Sequence, residues 1–282
     1  MERVVLKIGT AVLNEAGEGA GASQNTSPQL KIEHIVGNIV PHLDDNSQQL
    51  VIVSSGAVGL GSQRLAFGQS RSLTETQICA SVGQAQLIEN YTKALARHGY
   101  SAAQILLTSS DLQNASRRKN VISCLQQMAN QKVIPIVNEN DVLSTEEIEP
   151  LRGGEANWFG DNDKLSCLLA IEIEATALVL LTTSSGIYKS RPKSHKDKPI
   201  SLIEDLSDFD HVTIWQGSSQ GRGGIASKIE AIKHAAKAKV PTWITSGSDF
   251  DGLSHFFKGF SKRSMPKTGT FVLAGEEPWK NS

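Results

Sequence analysis

A chain of 282 residues, 39% hydrophobic and 20% charged, has the composition of a soluble globular protein with a sizeable core and leaves no case for long disorder. A formal net charge of -1 gives no whole-chain attraction to nucleic acid or to an anionic membrane. Neither partner is expected. The three cysteines, Cys79, Cys124 and Cys167, lie far apart within helical patterns and read as buried reduced thiols, which points to a reducing compartment. The chain enters a strand almost at once, without a basic leader, and no apolar run approaches about 18 residues, so the expected location is the cytoplasm.

Val4 to Ile8 reads as a first strand that carries Lys7 and ends in a turn at Gly9-Thr10. Residues 14 to 27, with three glycines, read as a loop, and Gln49 to Val53 is a second strand of the buried type ending in Ser54-Ser55-Gly56. From Thr74 to about His98 apolar residues recur at helical spacing. Two short strands follow, Gln104 to Leu107 and Val133 to Val137, separated by a helix through Leu125. The second opens into the polar run Asn138-Glu-Asn-Asp141. The basic run Arg117-Arg118-Lys119 is read as a solvated helix face. Residues 144 to 158 read as a further loop, and Phe159-Gly-Asp-Asn-Asp-Lys164 then leads into the apolar helical run Leu165 to Ile171. Ala177 to Leu181 is a strand ending in Thr182-Thr183, Lys189 to Lys198 is a basic excursion, and Gly217 to Gly224 precedes a helix from Ile225 to Ala238. Pro241 to Thr245 is a late strand.

Alternation of strands and helices predicts an α/β fold, a three-layer sandwich around a mostly parallel sheet. Polar and glycine residues fall at the C-terminal ends of the strands, where open α/β sheets bind ligands. Strand-end motifs near both ends of the chain must converge on one site, which favours a single domain over 1–282.

Asp161 and Asp163 are two like charges that need cations, N–H donors or a metal nearby. Lys7 and Lys228 are the candidate cations, although Lys7 reads equally well as a strand-end lysine whose stem lies on the sheet. The loop to Gly224, with Ser227-Lys228 after it, offers N–H groups, a positive helix end and an ammonium to phosphate oxygens. It lacks the spacing of a P-loop. Ser54 and Ser55 serve either a helix cap or a ligand, with Gly56 permitting close approach, and Asn138, Asn140 and Asp141 serve either a turn or a third polar strand end. The histidines lack metal-ligand spacing. Taken together these features read as a phosphoryl-transfer site.

The runs Val5 to Thr10, Val51 to Ala57, Val82-Gly-Gln-Ala-Gln-Leu87, Val137 to Asp141, Phe159 to Ser166, Leu180 to Thr182 and Gly223 to Lys228 resemble, in order and over nearly the whole chain, the amino acid kinase family and within it the glutamate 5-kinases. The resemblance implies transfer of phosphate from ATP, with Mg²⁺ held by the nucleotide, to the side-chain carboxylate of L-glutamate, the first step of L-proline synthesis. It implies Lys7, Asp163 and Lys228 as catalytic residues and Ser55, Gly56, Asp141, Asp161 and Asn162 as glutamate-binding. For ATP it implies Gly9, Thr182, Thr183, Arg222, Gly223, Gly224, Ile225, Ser227 and Lys228. The part up to about residue 165 would serve glutamate and the part from 166 the nucleotide, with feedback inhibition by L-proline, a dimer or tetramer of identical chains, and no C-terminal PUA domain. Thr183, Arg222 and Ile225 depart from the family pattern, which usually has aspartate, threonine and methionine there.

Overall fold

The computed structural model describes residues 1–14, 27–44, 47–65, 67, 71–143, 162–192, 194, 197–213, 225–275 and 279–280. In chain order the elements are β1 (Glu2–Ile8), α1 (Thr10–Leu13), α2 (Pro28–Ile39), β2 (Gln48–Ser54), α3 (Ala57–Leu65), α4 (Leu73–Ala96), β3 (Ser101–Leu107), α5 (Ser109–Gln113), α6 (Ala115–Met128), β4 (Val133–Glu139), α7 (Asn162–Glu172), β5 (Ala177–Thr182), β6 (Leu202–Ile203), α8 (Ile225–Lys237), β7 (Thr242–Ser246), α9 (Phe250–Gly259) and β8 (Thr270–Val272). The described strands form one eight-stranded sheet in the order β3-β4-β2-β1-β5-β7-β8-β6. Every pairing is parallel except β7 with β8. This is the α/β sandwich that the alternation predicts.

Because successive side chains of a strand point to opposite faces, each strand feeds two cores. Val4, Leu6 and Ile8 of β1, with Leu50 and Ile52 of β2, pack beneath α2, α4 and α9. Val5, Val51, Val53, Leu178 and Leu180 pack on the other face beneath α7 and α8. Lys7 has the parity of Val5, so its side chain leaves on the α7–α8 face. That parity decides which partners it can reach.

Local signals fix the helices. Ser27 caps α2, accepting from the Leu30 N–H, and Pro28 occupies the first turn, where no N–H is needed. Ser72 and Glu75 form a reciprocal capping box at the start of α4. α4 then crosses α3 at very short range: a Cβ on Gly83 would sit 1.8 Å from the Ala57 carbonyl oxygen, and one on Gly61 would sit 1.8 Å from that of Cys79. No other residue type permits this approach, which carries the α4 residue after Gly83 to the end of β4.

Three expectations are corrected. Cys124 is exposed, whereas Cys79 and Cys167 are buried as expected; Leu125 is the buried residue of α6, and its neighbour Cys124 faces outward. Asn138 and Glu139 are the last residues of β4 rather than part of a loop, and β3 begins at Ser101. α7 starts at Asn162, so Asn162 and Asp163 belong to its first turn, where a carboxylate complements the positive helix end. Arg117 lies on an exposed face as expected, pairing with Asp111 at 3.1 Å. The expected loops fall outside the described residues apart from their margins. Among the described residues no helix is long and apolar enough to cross a membrane.

Candidate active site

β1, β2, β4 and β5 all end at one edge of the sheet, and the candidate residues collect there. Lys7 Nζ lies 2.6 Å from Asp163 Oδ1, and Lys228 Nζ donates to Asp163 Oδ2 at 2.8 Å. The Asp163 side chain is fully buried, and those of Lys7 and Lys228 are only 6% and 14% exposed. Burial alone would raise the Asp163 pKa; the charges of Lys7 and Lys228 and their hydrogen bonds outweigh it and hold the carboxyl below its ordinary value. One carboxylate thus anchors two ammonium groups and leaves the cluster with a net charge of plus one. Gly9 borders it, since a Cβ there would press on Lys7 Nζ at 3.2 Å.

A second, uncharged cluster adjoins it through α7. Asn162 Nδ2 donates to Ser55 Oγ at 2.7 Å and to Asn138 Oδ1 at 3.1 Å, while Asn138 Nδ2 donates to Gln84 Oε1 at 3.0 Å. Asn138 shares the face of Ile134 and Ile136, towards α4, and Asn162 comes from the helix on the opposite face. The chain of amides therefore passes over the end of the sheet. Ser54 beside it is held by the buried Tyr91 hydroxyl at 2.8 Å. Gly56 has φ of 111°, a conformation that excludes side chains, and turns the backbone after Ser55. Asp141 is buried two residues past β4.

Of the expected nucleotide residues, Thr182 ends β5, where its hydroxyl accepts from the Ser184 N–H at 3.0 Å. Ile8 pairs with Leu181, so Gly9 and Thr182 leave the sheet side by side. Thr183 is exposed, and Ile225, Ser227 and Lys228 form the first turn of α8. Asp161, Arg222, Gly223 and Gly224 lie outside the described residues. A separate cleft of about 420 Å³ follows β5, lined in part by Tyr188, Lys189, Asp197 and Lys198, and no member of the ion triplet borders it. Among the described residues no group of three or more His, Cys, Asp or Glu is placed to hold a metal ion.

The structure thus unites Lys7, Asp163 and Lys228, and separately unites Ser55 with Asn162. It adds Gln84, to which the sequence reading assigned no role. Gln84 is one of several polar residues along α4 and carries no signal of its own; only the close α3–α4 crossing and the register of β4 reveal its partner.

Residues 2–246 match the amino acid kinase family. The chain belongs to the amino acid kinase family. Among its relatives are the glutamate 5-kinases of Nitrosospira multiformis, 34% identical over 98% of this chain and 71% of the relative, and of Chromobacterium violaceum, 34% identical over 99% and 71%. That of Acinetobacter baumannii (strain SDF) is 32% identical over 99% of this chain and 70% of its own length. The fold is shared with the carbamate kinase of Giardia lamblia bound to AMP-PNP, with a TM-score of 0.59 at 14% identity over 96% of this chain and 98% of that one. A UMP kinase from Bacillus anthracis gives 0.56 at 14% identity over 97% and 96%. Membership of the amino acid kinase family places the protein among nucleotide-binding phosphotransferases.

Proposed function

We propose that the protein is a glutamate 5-kinase, transferring the γ-phosphoryl group of ATP to the side-chain carboxylate of L-glutamate and so opening L-proline synthesis. The observation that carries this is the buried Lys7–Asp163–Lys228 triplet at the ligand-binding edge of the sheet. Three relatives that bear this name, 32–34% identical over 98–99% of this chain, support glutamate as the acceptor.

The acceptor carboxylate is ionised at neutral pH, so no general base is needed. One of its oxygens forms a bond to the γ-phosphorus as the bond to the β,γ-bridging oxygen breaks and ADP departs. Such a transfer asks the protein mainly for position and charge. Lys7 and Lys228 supply the charge, from opposite ends of the chain, to the three oxygens of the moving phosphoryl group. Asp163 fixes both ammonium groups before substrates arrive, so little reorganisation remains for the reaction itself. Mg²⁺ would enter with the nucleotide, held by its phosphates, and would neutralise part of their charge.

Ser55, Gly56, Asn162 and Asp141 surround the acceptor in this reading, with Asp161 beside them, and Asp141 meets its ammonium. Gly9, Thr182, Thr183, Ile225 and Ser227 face the nucleotide, together with the loop that carries Arg222, Gly223 and Gly224.

The test is ATP turnover in hydroxylamine, which traps an acyl phosphate as the hydroxamate, with L-glutamate compared against N-acetyl-L-glutamate, L-aspartate, carbamate and UMP as acceptors. Glutamate should give hydroxamate in step with ADP, at a kcat/KM at least about tenfold above the others, a margin of roughly 1.4 kcal/mol. ADP release with another acceptor, but none with glutamate, would sink the proposal.

A further inference from the structure

The chain Ser55–Asn162–Asn138–Gln84 has a direction. As it stands, each amide nitrogen donates toward the next oxygen, and the chain ends on Gln84 Oε1 as a pure acceptor. Two polar atoms are left over, Asn162 Oδ1 and Gln84 Nε2, both buried and without a hydrogen-bond partner among the described residues. Asn162, Asn138 and Gln84 are 3%, 3% and 7% exposed, so water is a poor substitute for the missing partners.

Turning all three amides over would preserve the number of bonds. Gln84 Nε2 would then donate to Asn138, Asn138 to Asn162 Oδ1, and the Ser55 hydroxyl would donate where it now accepts. The change would fall on the buried Asn162 atom left outside the chain, which would be its NH₂ in place of its carbonyl oxygen. An ammonium group is attracted by the first arrangement and repelled by the second. Bond counting inside the chain does not choose between them, so the choice rests on the terminal group and on the ligand.

We propose that Gln84 is a positioning residue that accepts from Asn138 and thereby keeps the Asn162 carbonyl oxygen, rather than its NH₂, as the atom left to receive the α-ammonium of the acceptor amino acid. The proposal rests on the glutamate-kinase reading for the identity of that acceptor. It gives the buried Gln84 side chain a role, beside Gly83, which clears the way for close approach. It also accounts for the unpaired Gln84 Nε2, which is the leftover end of a chain held in this polarity.

The experiment compares Gln84→Met, which has nearly the same shape and no acceptor oxygen, with Gln84→Glu, which retains the acceptor. Three constants are read for each: KM for L-glutamate, KM for ATP, and Ki for glutarate, which lacks the ammonium, as a competitor of glutamate. In Gln84→Met the glutamate KM should rise about tenfold or more, the loss of one hydrogen bond to a charged group, while the glutarate Ki and ATP KM stay within about twofold. Gln84→Glu should keep the ratio of glutamate KM to glutarate Ki within about threefold of wild type. Equal weakening of glutamate and glutarate in Gln84→Met would show a merely structural role and overturn the proposal, as would an unchanged ratio, or a Gln84→Glu defect as large as that of Gln84→Met. A wild-type protein that forms no glutamyl hydroxamate would instead refute the glutamate-kinase reading itself.

Discussion

The two clusters at the sheet edge solve opposite problems. Around Asp163 the groups are charged and closely paired: the carboxylate has a cation on each oxygen, and one positive charge is left over. Around Asn162 the groups are neutral, and a buried acceptor and a buried donor remain unmatched. A saturated centre can hold fixed charge for a step that is the same for every substrate in a kinase family. An unsaturated one has capacity left for recognition. In the proposed function catalysis and selectivity thus fall to neighbouring residues of one helix start, Asp163 and Asn162.

The largest effect is expected at the saturated centre. Asp163→Ala leaves two ammonium groups in a buried site without their counter-charge, and loss of one partner of a buried pair costs about 3 to 5 kcal/mol. The urea midpoint should fall accordingly, with turnover nearly abolished. Each of Lys7→Ala and Lys228→Ala should lower kcat about a hundred- to a thousandfold, a loss of about 3 to 4 kcal/mol, with the glutamate KM little changed. Combining either with Asp163→Ala should add far less than the sum of the separate losses in activity. Additive losses would mean that the carboxylate does not act through the lysines.

Acid sharpens the contrast. The Asp163 carboxyl titrates below its ordinary value in the folded protein, so its contribution is complete above the unfolded aspartate pKa of about 3.9 and fades as pH falls through the lower folded value. The gap in urea midpoint between wild type and Asp163→Asn should be constant from neutral pH down to about pH 4 and narrow below it. A gap that already shrinks between pH 7 and 5 would assign the linkage to other groups.

Much of the charged centre was legible in the sequence. Strand parity follows from the run Val4 to Ile8, and two aspartates ahead of an apolar helix demand cations that only a few strand-end positions supply. The amide centre was half legible, since Ser55 and Asn162 stand in polar runs, whereas Gln84 is one of many polar residues along α4 and nothing in the sequence sets it apart. α2 was not read, although Pro28 after Ser27 and the spacing of Ile32, Ile35, Val36 and Ile39 mark it. α9 was not read either, although Phe250, Leu253, Phe256, Phe257 and Phe260 recur at helical spacing behind the cap at Asp249. Cys124 misled because helical residence does not tell which side of the helix is buried.

Smaller effects belong to the recognition side and the nucleotide edge. Asp141→Asn removes a charge proposed to face the ammonium, and the glutamate KM should rise roughly tenfold or more while the ATP KM moves less than about twofold. A larger change in the ATP term would reassign the loop after β4. Thr183 is an exposed hydroxyl, and in the proposed nucleotide site its hydrogen bonds would lack the assistance of charge that an aspartate gives. GTP should therefore support kcat/KM within about tenfold of ATP, and Thr183→Asp should widen that gap. Strong ATP preference in wild type, unchanged in Thr183→Asp, would show that other residues read the base.

The measurement closest to the central claim follows oxygen. L-Glutamate carrying ¹⁸O in its side-chain carboxylate is turned over with ATP in hydroxylamine, and the released phosphate is analysed by mass. If a carboxylate oxygen attacks the γ-phosphorus between Lys7 and Lys228, that oxygen remains on phosphorus when hydroxylamine attacks the acyl carbon. Each phosphate should then carry one ¹⁸O, in step with ADP and hydroxamate. Unlabelled phosphate would mean that water or another group takes the phosphoryl, and would contradict the account.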